Sequence, residues 1–369
     1  MIVDIIDQWN RESSKEELDL VNLFLSPSGS GKRFLFGTNE DAIRVSEKIE
    51  ITGFINDFWK SNEGLNGIPV VNTNNVPHDA IIVNCSTSIS PLTVQKKIDS
   101  IPNKGTFPLT SLSKAVPSFF ELPEFVRKTR SDLVKNGDKW QKILDTLADE
   151  RSKEVFHQVL KFRLTGDLRY MTNMTVRFDQ QYFAEFIETD ENEVFVDCGG
   201  FDGDTTEIFC DNYPNYKKVL FFEPSAQNMT KAKERLNGRR DIEYIPKGVS
   251  DQEGVLSFSS GDGSSSKVSE QGGDQIEVTK IDKYTSEPIT FIKMDLEGWE
   301  MKALKGAENH IKKDHPKLAI AVYHSSKDFW EIFNYILSLR SDYKVYLDHY
   351  TEGWSETVMY FIPMNRASN

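Results

Sequence analysis

Short apolar runs separated by longer polar segments dominate the second half of the chain. Runs that end in an acid, such as 194–197 and 219–223, are typical of buried strands in a parallel sheet, and the amphipathic segments between them are typical of helices. The segments predicted as strands are 194–197, 218–223, 242–245, 291–295, 318–323, 343–348 and 357–362. Their alternation with helices predicts an α/β domain over 191–369.

The first part of the chain shows a similar strand-then-helix rhythm. Strands are predicted at 34–39, 51–57, 68–71 and 79–85, with a helix at 41–48. They predict a small α/β domain over 1–117, similar to the truncated Rossmann-like domains that precede several sugar-modifying enzymes. Its role stays open between nucleotide binding, a scaffold and the formation of a homo-oligomer. Residues 26–33 lack two required positions of a P-loop and are predicted to form a surface loop.

The segment 118–190, between these two domains, is charged and has apolar residues at helical spacing. These residues are Leu144, Leu147, Val155, Leu160 and Leu164. They predict a helical connector. Tyr182, near its end, would either pack within the connector or close over an acceptor molecule.

The turn after the first strand of the second domain is the most specific motif. It reads Asp-x-Gly-x-x-x-Gly from Asp197 through Gly199 to Gly203, whereas a dinucleotide site needs G-x-G-x-x-G. The carboxylates of Asp197, Asp202 and Asp204 in this turn would repel a diphosphate. They suit a cationic ligand such as S-adenosylmethionine. Glu223 ends the next strand, where an acid can bind ribose hydroxyls. With Thr205, these residues form the predicted cofactor site; the alternative is an ordinary strand-to-helix turn.

Three further side chains are predicted at the same sheet edge. Asp295 ends the fourth strand, Glu297 follows it, and His324 ends the fifth. A reaction that removes a proton from an acceptor molecule needs a base, and His324 is the preferred base. Asp295 would orient the acceptor or the cofactor, so it is predicted both as a catalytic and as a cofactor-binding residue. Glu297 is the third catalytic candidate. The alternatives are a helix cap for Asp295 and structural hydrogen bonds for the other two.

A metal site is a less favoured interpretation of these residues. His324, His349, Asp295 and Glu297 are acceptable ligands, but no closely spaced pair of histidines accompanies them. We therefore predict no metal, although the sequence leaves metal dependence open.

Composition narrows the classes of partner. The 369 residues carry a formal net charge of −13 with no dense Lys/Arg stripe, which disfavours binding to nucleic acid or an anionic membrane and favours a small-molecule or sugar-linked acceptor. The three cysteines form no C-x-x-C pair, and no apolar run reaches the length of about 18 residues that a membrane span needs. A reduced, cytoplasmic location is expected.

The second domain resembles the FkbM family of S-adenosylmethionine-dependent methyltransferases. The resemblance covers about half of the chain and rests on 195–203, 222–224, 292–300, 304–307 and 360–363. It implies a class I methyltransferase fold, with a Rossmann-like seven-stranded sheet whose final strand is antiparallel. It also implies that the glycine turn binds the cofactor, that Glu223 binds ribose, and that Asp295 and Glu297 are acids at the active-site edge.

The family resemblance implies O-methylation of a sugar or a polyketide-type hydroxyl. We therefore expect a sugar O-methyltransferase of glycan, capsule or lipopolysaccharide biosynthesis. Two alternatives stay open: a methyltransferase for another small metabolite, and a catalytically inactive nucleotide-binding assembly module.

Overall fold

The computed structural model describes residues 14–26, 31–188, 191–259, 267–268 and 274–364. Contacts divide the chain into two compact units. Unit 1 comprises Met1–Gly137, His157–Val176 and Thr351–Ser355, and unit 2 comprises Asp138–Phe156, Arg177–Tyr350 and Glu356–Asn369. Both units thus contain parts of the predicted connector, and the predicted domain boundaries near 117 and 190 remain predictions.

Unit 1 contains a five-stranded parallel sheet in the order β3-β2-β1-β4-β5. Its elements are α1 (Lys15–Leu25), β1 (Lys32–Phe36), α2 (Glu40–Ser46), β2 (Gly53–Ile55), β3 (Val70–Val71), β4 (Ala80–Asn84), α3 (Pro91–Asp99), β5 (Gly105–Pro108) and α4 (Leu109–Ala115). The predicted α/β character of this part of the chain is therefore confirmed. The prediction missed β5, whose terminal glycine and proline are both disfavoured in strands. Of the predicted surface loop, 27–30 lie outside the described residues, and Lys32 begins β1.

Both faces of this sheet are buried. Leu35 and Phe54 pack into the core on one face, where the rings of Phe24 and Phe107 meet edge to face at 5.5 Å. Neighbouring strand residues such as Phe34 enter a second apolar cluster. This explains why the strands read as continuous apolar runs.

Two helices occupy much of the predicted connector, α5 (Glu124–Thr146) and α6 (Glu150–Thr165). The helical prediction is confirmed there. Asn136 has non-helical backbone angles inside α5, and the change from unit 1 to unit 2 follows directly after Gly137.

Unit 2 contains the seven-stranded sheet, in the order β15-β16-β14-β13-β6-β7-β8. Its strands are β6 (Val194–Cys198), β7 (Lys218–Phe222), β8 (Ile242–Ile245), β13 (Phe291–Met294), β14 (Lys317–Ala321), β15 (Tyr343–His349) and β16 (Thr357–Pro363). All seven predicted strands are confirmed, with ends shifted by up to two residues. Strand β16 runs antiparallel to both neighbours, as expected for a class I methyltransferase fold.

The helices of unit 2 lie between these strands in sequence. They are α7 (Asp204–Asn212), α8 (Ala226–Arg235), α9 (Ile281–Tyr284), α10 (Glu300–Gly306), α11 (Glu308–Asp314) and α12 (Asp328–Leu339). Aromatic rings form much of the core, and Phe195 of β6 stacks on Phe209 of α7 at 4.2 Å. None of the helices in the described residues is long and apolar enough to cross a membrane.

A second, four-stranded sheet in unit 2 was not predicted. It has the order β11-β10-β12-β9 and consists of β9 (Gly248–Val249), β10 (Gly254–Ser259), β11 (Lys267–Val268) and β12 (Asp274–Thr279). The Gly/Ser-rich sequence at 261–273 favoured a loop, but its residues 267–268 pair with β10. The rest of that predicted loop lies outside the described residues.

Candidate active site

The carboxyl ends of four parallel strands bring the predicted site residues to one edge of the seven-stranded sheet. Strands β14, β13, β6 and β7 are successive neighbours. Asp295 follows β13, His324 follows β14 and Glu223 follows β7. The structure brings Asp295 and His324 together, with Nε2 of the histidine 3.4 Å from Oδ1 of the aspartate. This edge is where ligands bind in open α/β sheets.

The glycine turn after β6 requires its glycines. Gly199 and Gly203 have φ of +79° and +87°, a left-handed conformation that favours glycine. A Cβ atom on Gly199 would also lie 2.1 Å from the carbonyl oxygen of Asp295, so the turn passes directly against the end of β13. Gly203 then immediately precedes α7.

Asp197 lies beneath this turn and has no exposed surface. Its Oδ1 accepts a hydrogen bond from Lys293 Nζ at 3.0 Å, and its Oδ2 accepts one from Thr206 Oγ1 at 2.7 Å. Lys293 also donates to the carbonyl of Gly199 at 2.8 Å. This geometry argues against the predicted direct contact between Asp197 and the cofactor. Instead, the Asp197–Lys293 ion pair supports the turn from below.

Glu223 is held by backbone donors on both sides. Its Oε2 accepts from Phe201 N at 3.0 Å and its Oε1 from Ser225 N at 2.8 Å. The side chain is largely buried, and burial raises the pKa of its carboxyl despite these hydrogen bonds. Each oxygen retains a lone pair that could accept a hydroxyl donor. The ribose contact of Glu223 stays a prediction.

Asp295 stands at the end of a chain of hydrogen bonds. The hydroxyl of Tyr182 donates to its Oδ2 at 2.6 Å. Gln181 Nε2 in turn donates to the Tyr182 hydroxyl at 3.0 Å and to Glu356 Oε2 at 2.7 Å. The Asp295 side chain retains 21% of its exposure, so it is oriented without being enclosed.

Three carboxylates surround His324. Besides Asp295, Glu297 Oε2 lies 3.4 Å from Nε2, and Glu300 Oε1 lies 3.2 Å from Nδ1. Despite these ion-pair distances, neither ring nitrogen makes a hydrogen bond of acceptable geometry among the described residues. Glu300 Oε1 also accepts from the backbone N of Leu296, at 2.7 Å, which fixes this carboxylate within the turn before α10.

The carboxylates of this cluster raise the pKa of the histidine. Burial alone would lower the pKa of His324, but Glu300, Asp295 and Glu297 raise it to about 10. An imidazolium cannot accept a proton, so this arrangement argues against His324 as the general base. Burial raises the pKa of Glu297 to about 7, although His324 opposes that rise.

Residues 197–345 match the family model described as the methyltransferase FkbM domain. This part of the chain therefore carries an FkbM methyltransferase domain. The predicted family resemblance is thereby confirmed, and so is the general prediction of a methyltransferase.

A solved structure, methyltransferase FkbM from Methylobacillus flagellatus KT, is similar over 97% of this chain and 99% of its own, with 24% identity and a TM-score of 0.71. It supports the fold. An rRNA methylase from Streptococcus thermophilus covers 48% of this chain and 89% of its own, with 19% identity and a TM-score of 0.34. Aeropyrum pernix fibrillarin, solved with natively bound S-adenosyl-L-methionine, covers 48% and 70%, with 12% identity and a TM-score of 0.32. No curated protein sequence matches the chain.

The sequence-based predictions missed several residues of this site. Lys293 interrupts an apolar strand, Phe-Ile-Lys-Met, and a buried lysine needs a partner, so a signal was present. Glu300 resembles an ordinary acid in the first turn of a helix. Gln181 and Glu356 lie in no recognisable motif. For Tyr182, the sequence left two interpretations open: packing within the connector, or closing over an acceptor molecule.

Two predicted residues have other surroundings. His349 is fully buried and its Nδ1 lies 2.9 Å from Thr357 Oγ1. The described side chains that could together hold a metal are Asp295, Glu300 and His324, so His349 is not among them. Thr205 is half-buried in the first turn of α7, and its contact with the cofactor stays a prediction.

Gly199→Ala should destabilise the FkbM domain more than Gly238→Ala. Both glycines have φ near +80°, but nothing lies within 4 Å of a Cβ on Gly238. Gly238→Ala should therefore cost only the left-handed backbone penalty, about 1–2 kcal/mol. Gly199→Ala should add about 1–3 kcal/mol, because the Asp295 carbonyl must move. Urea denaturation measures both variants, and equal losses would show that the close approach is not rigid.

Proposed function

We propose that this methyltransferase transfers the methyl group of S-adenosylmethionine to a hydroxyl of a sugar or sugar-linked acceptor, in glycan, capsule or lipopolysaccharide biosynthesis. The observation that carries the proposal is the convergence of two sites at one sheet edge. Glu223 and the glycine turn offer a nucleoside site, and Asp295 with Tyr182 offers a polar site beside it. The FkbM domain supports the reaction class.

The cofactor would lie along the ends of β6 and β7. The glycine turn provides backbone that a ligand can approach closely, since no side chain projects at Gly199 or Gly203. Glu223 would accept hydrogen bonds from the two ribose hydroxyls, as acids at this position do in nucleotide-binding α/β folds. The acidic surroundings suit the sulfonium and amino group of this cation.

The reaction itself is an in-line displacement. The acceptor oxygen forms a bond to the methyl carbon while the bond from carbon to sulfur breaks, and the electron pair stays on sulfur to give S-adenosylhomocysteine. The hydroxyl proton passes to a protein carboxylate. Most of the catalysis would come from alignment of oxygen and methyl carbon, together with removal of this proton.

Roles can be assigned from position. Asp295 is held by the Tyr182 hydroxyl, which makes it suited to orient an acceptor hydroxyl. Glu297 is the most exposed carboxylate around His324, at 27%, compared with 21% for Asp295 and 1% for Glu300. We assign it as the proton acceptor. This replaces the sequence hypothesis, in which His324 is the base.

A screen of acceptors tests the function. The full chain is incubated with S-adenosylmethionine and nucleotide-linked sugars or glycan intermediates, and mass spectrometry detects products that have gained one methyl group. We expect O-methylation of at least one sugar hydroxyl and equimolar S-adenosylhomocysteine. Methylation of nitrogen only, or binding of the cofactor without turnover on any acceptor, would contradict the proposal.

Glu223→Ala should weaken S-adenosylmethionine binding by about 1.5–3 kcal/mol, the range for a hydrogen bond to a charged group. Isothermal titration calorimetry measures this loss. Glu234→Ala is the matched control, because Glu234 is an exposed acid on the following helix, α8. Unchanged affinity in a folded Glu223→Ala variant would remove this residue from the cofactor site.

A further inference from the structure

Three side chains of unit 2 lie at metal-ligand spacing. One oxygen each from Asp295 and Glu300 and a ring nitrogen of His324 all lie within 4.8 Å of one another. Two ligands on opposite sides of a metal ion, each at about 2.1 Å, lie about 4.2 Å apart. The limit of 4.8 Å is larger than this separation, so the side chains must move closer together for one ion to contact all three atoms.

Independently of this spacing, buried polar atoms in the cluster lack hydrogen bonds, although carboxylate oxygens lie 3.2 to 3.4 Å from the ring nitrogens of His324. The His324 side chain is 9% exposed, and neither of its ring nitrogens has a hydrogen-bond partner among the described residues. The same holds for Oε2 of Glu300, whose side chain is 1% exposed. Burying such groups without partners costs free energy, and a cation bound between the histidine and the glutamate would offset this cost.

The cluster also carries an excess of acidic groups. Three carboxylates, those of Asp295, Glu297 and Glu300, face one imidazole. Arg and Lys ion pairs occur elsewhere in unit 2, but within the described part of the chain no Lys or Arg ion pair involves any of these three acids. A cation bound among them would offset this charge.

We propose that Asp295, Glu300 and His324 bind one divalent transition-metal ion, and that the imidazolium of His324 releases a proton when its ring nitrogen becomes a ligand. Two carboxylates and an imidazole suit Mn²⁺, Fe²⁺ or Zn²⁺ better than Mg²⁺, which prefers oxygen ligands alone. Three protein ligands leave positions open for water or for oxygens of an acceptor. The inference revises the sequence-based prediction that no metal is bound, and it does not depend on the acceptor.

Mn²⁺ binding to the full chain tests the site directly. The protein is treated with EDTA, desalted and titrated with MnCl₂, and electron paramagnetic resonance measures the free Mn²⁺ that remains. We expect one ion bound per chain. Zn²⁺ should displace it at lower concentration than Mg²⁺ does, because imidazole is a good ligand for Zn²⁺, whereas Mg²⁺ prefers oxygen ligands.

Variants locate the bound ion. His324→Ala and Glu300→Gln should each weaken Mn²⁺ binding by about tenfold or more. Glu308→Gln is the matched control, since Glu308 is an acid of the neighbouring helix α11 that pairs with Lys312, and it should bind as the wild type does. Circular dichroism checks that each variant is folded. If one of the two ligand variants does not fold, the Mn²⁺ affinity of the other variant is sufficient to test the site.

Two results would overturn the inference: no binding of Mn²⁺ or Zn²⁺ by the wild-type chain, or unchanged affinity in the folded ligand variants. The assay contains neither S-adenosylmethionine nor acceptor. A negative result in this assay would therefore contradict the metal site but not the proposed methyl transfer. Conversely, a protein that binds Mn²⁺ but transfers no methyl group would contradict the proposed function but not the metal site.

Discussion

Replacing Glu297 by glutamine should lower kcat by about 10²–10⁴-fold, the usual contribution of a positioned proton acceptor. A sugar hydroxyl is not ionised at neutral pH, and an amide cannot take its proton. The backbone of Glu297 has φ of +52°, and glutamine keeps the same backbone and nearly the same side-chain shape. Affinity for S-adenosylmethionine should stay unchanged, because Glu223 lies at the end of a different strand.

Steady-state kinetics with an accepted sugar, combined with calorimetry for the cofactor, measures both quantities. Asp295→Asn is the informative comparison, since this variant keeps an acceptor for the Tyr182 hydroxyl but loses the charge. If Glu297→Gln turned over normally while Asp295→Asn lost activity with the cofactor still bound, Asp295 would be the base. The Glu308→Gln variant controls for the loss of one acid outside the site.

Lys293→Met should destabilise unit 2 by about 3–5 kcal/mol, the cost of removing one partner of a buried ion pair. Lys293 is 3% exposed and Asp197 is fully buried, so the aspartate would be left without its cation. The variant should also bind S-adenosylmethionine less tightly, because the carbonyl of Gly199 loses its donor. Urea denaturation and calorimetry measure the two effects.

A second buried ion pair provides the matched control. Lys317, at the start of β14, pairs with Glu193, directly before β6, so this pair lies at the opposite edge of the sheet. Lys317→Met should cause a similar loss of stability without a specific loss of cofactor affinity. Equal cofactor affinity in folded Lys293→Met and Lys317→Met would show that Lys293 does not support the turn. Lys293→Met/Asp197→Asn should recover part of the stability.

Much of the architecture was predictable because the signals are local. Apolar runs bounded by acids and glycines reflect burial on both faces of a parallel sheet, so all seven strands of the large sheet could be found from sequence. The predicted carboxyl ends of these strands also identified Glu223, Asp295 and His324 as candidate site residues. Where local signals conflicted, as at β5 with its glycine and proline, or in the Gly/Ser-rich segment beside β11, the prediction missed the strand.

The contacts of the site residues depend on tertiary structure. Lys293 reaches Asp197 across 96 residues of sequence because β13 and β6 pair in a register that puts these residues side by side. Likewise, the fold places three carboxylates around the ring of His324, and this arrangement argues against the histidine as the base. Local backbone preferences and burial leave a pattern in the sequence. The pairing of distant charges depends instead on strand register and on the packing of helices and turns, and the residues next to each charge in the sequence do not encode these.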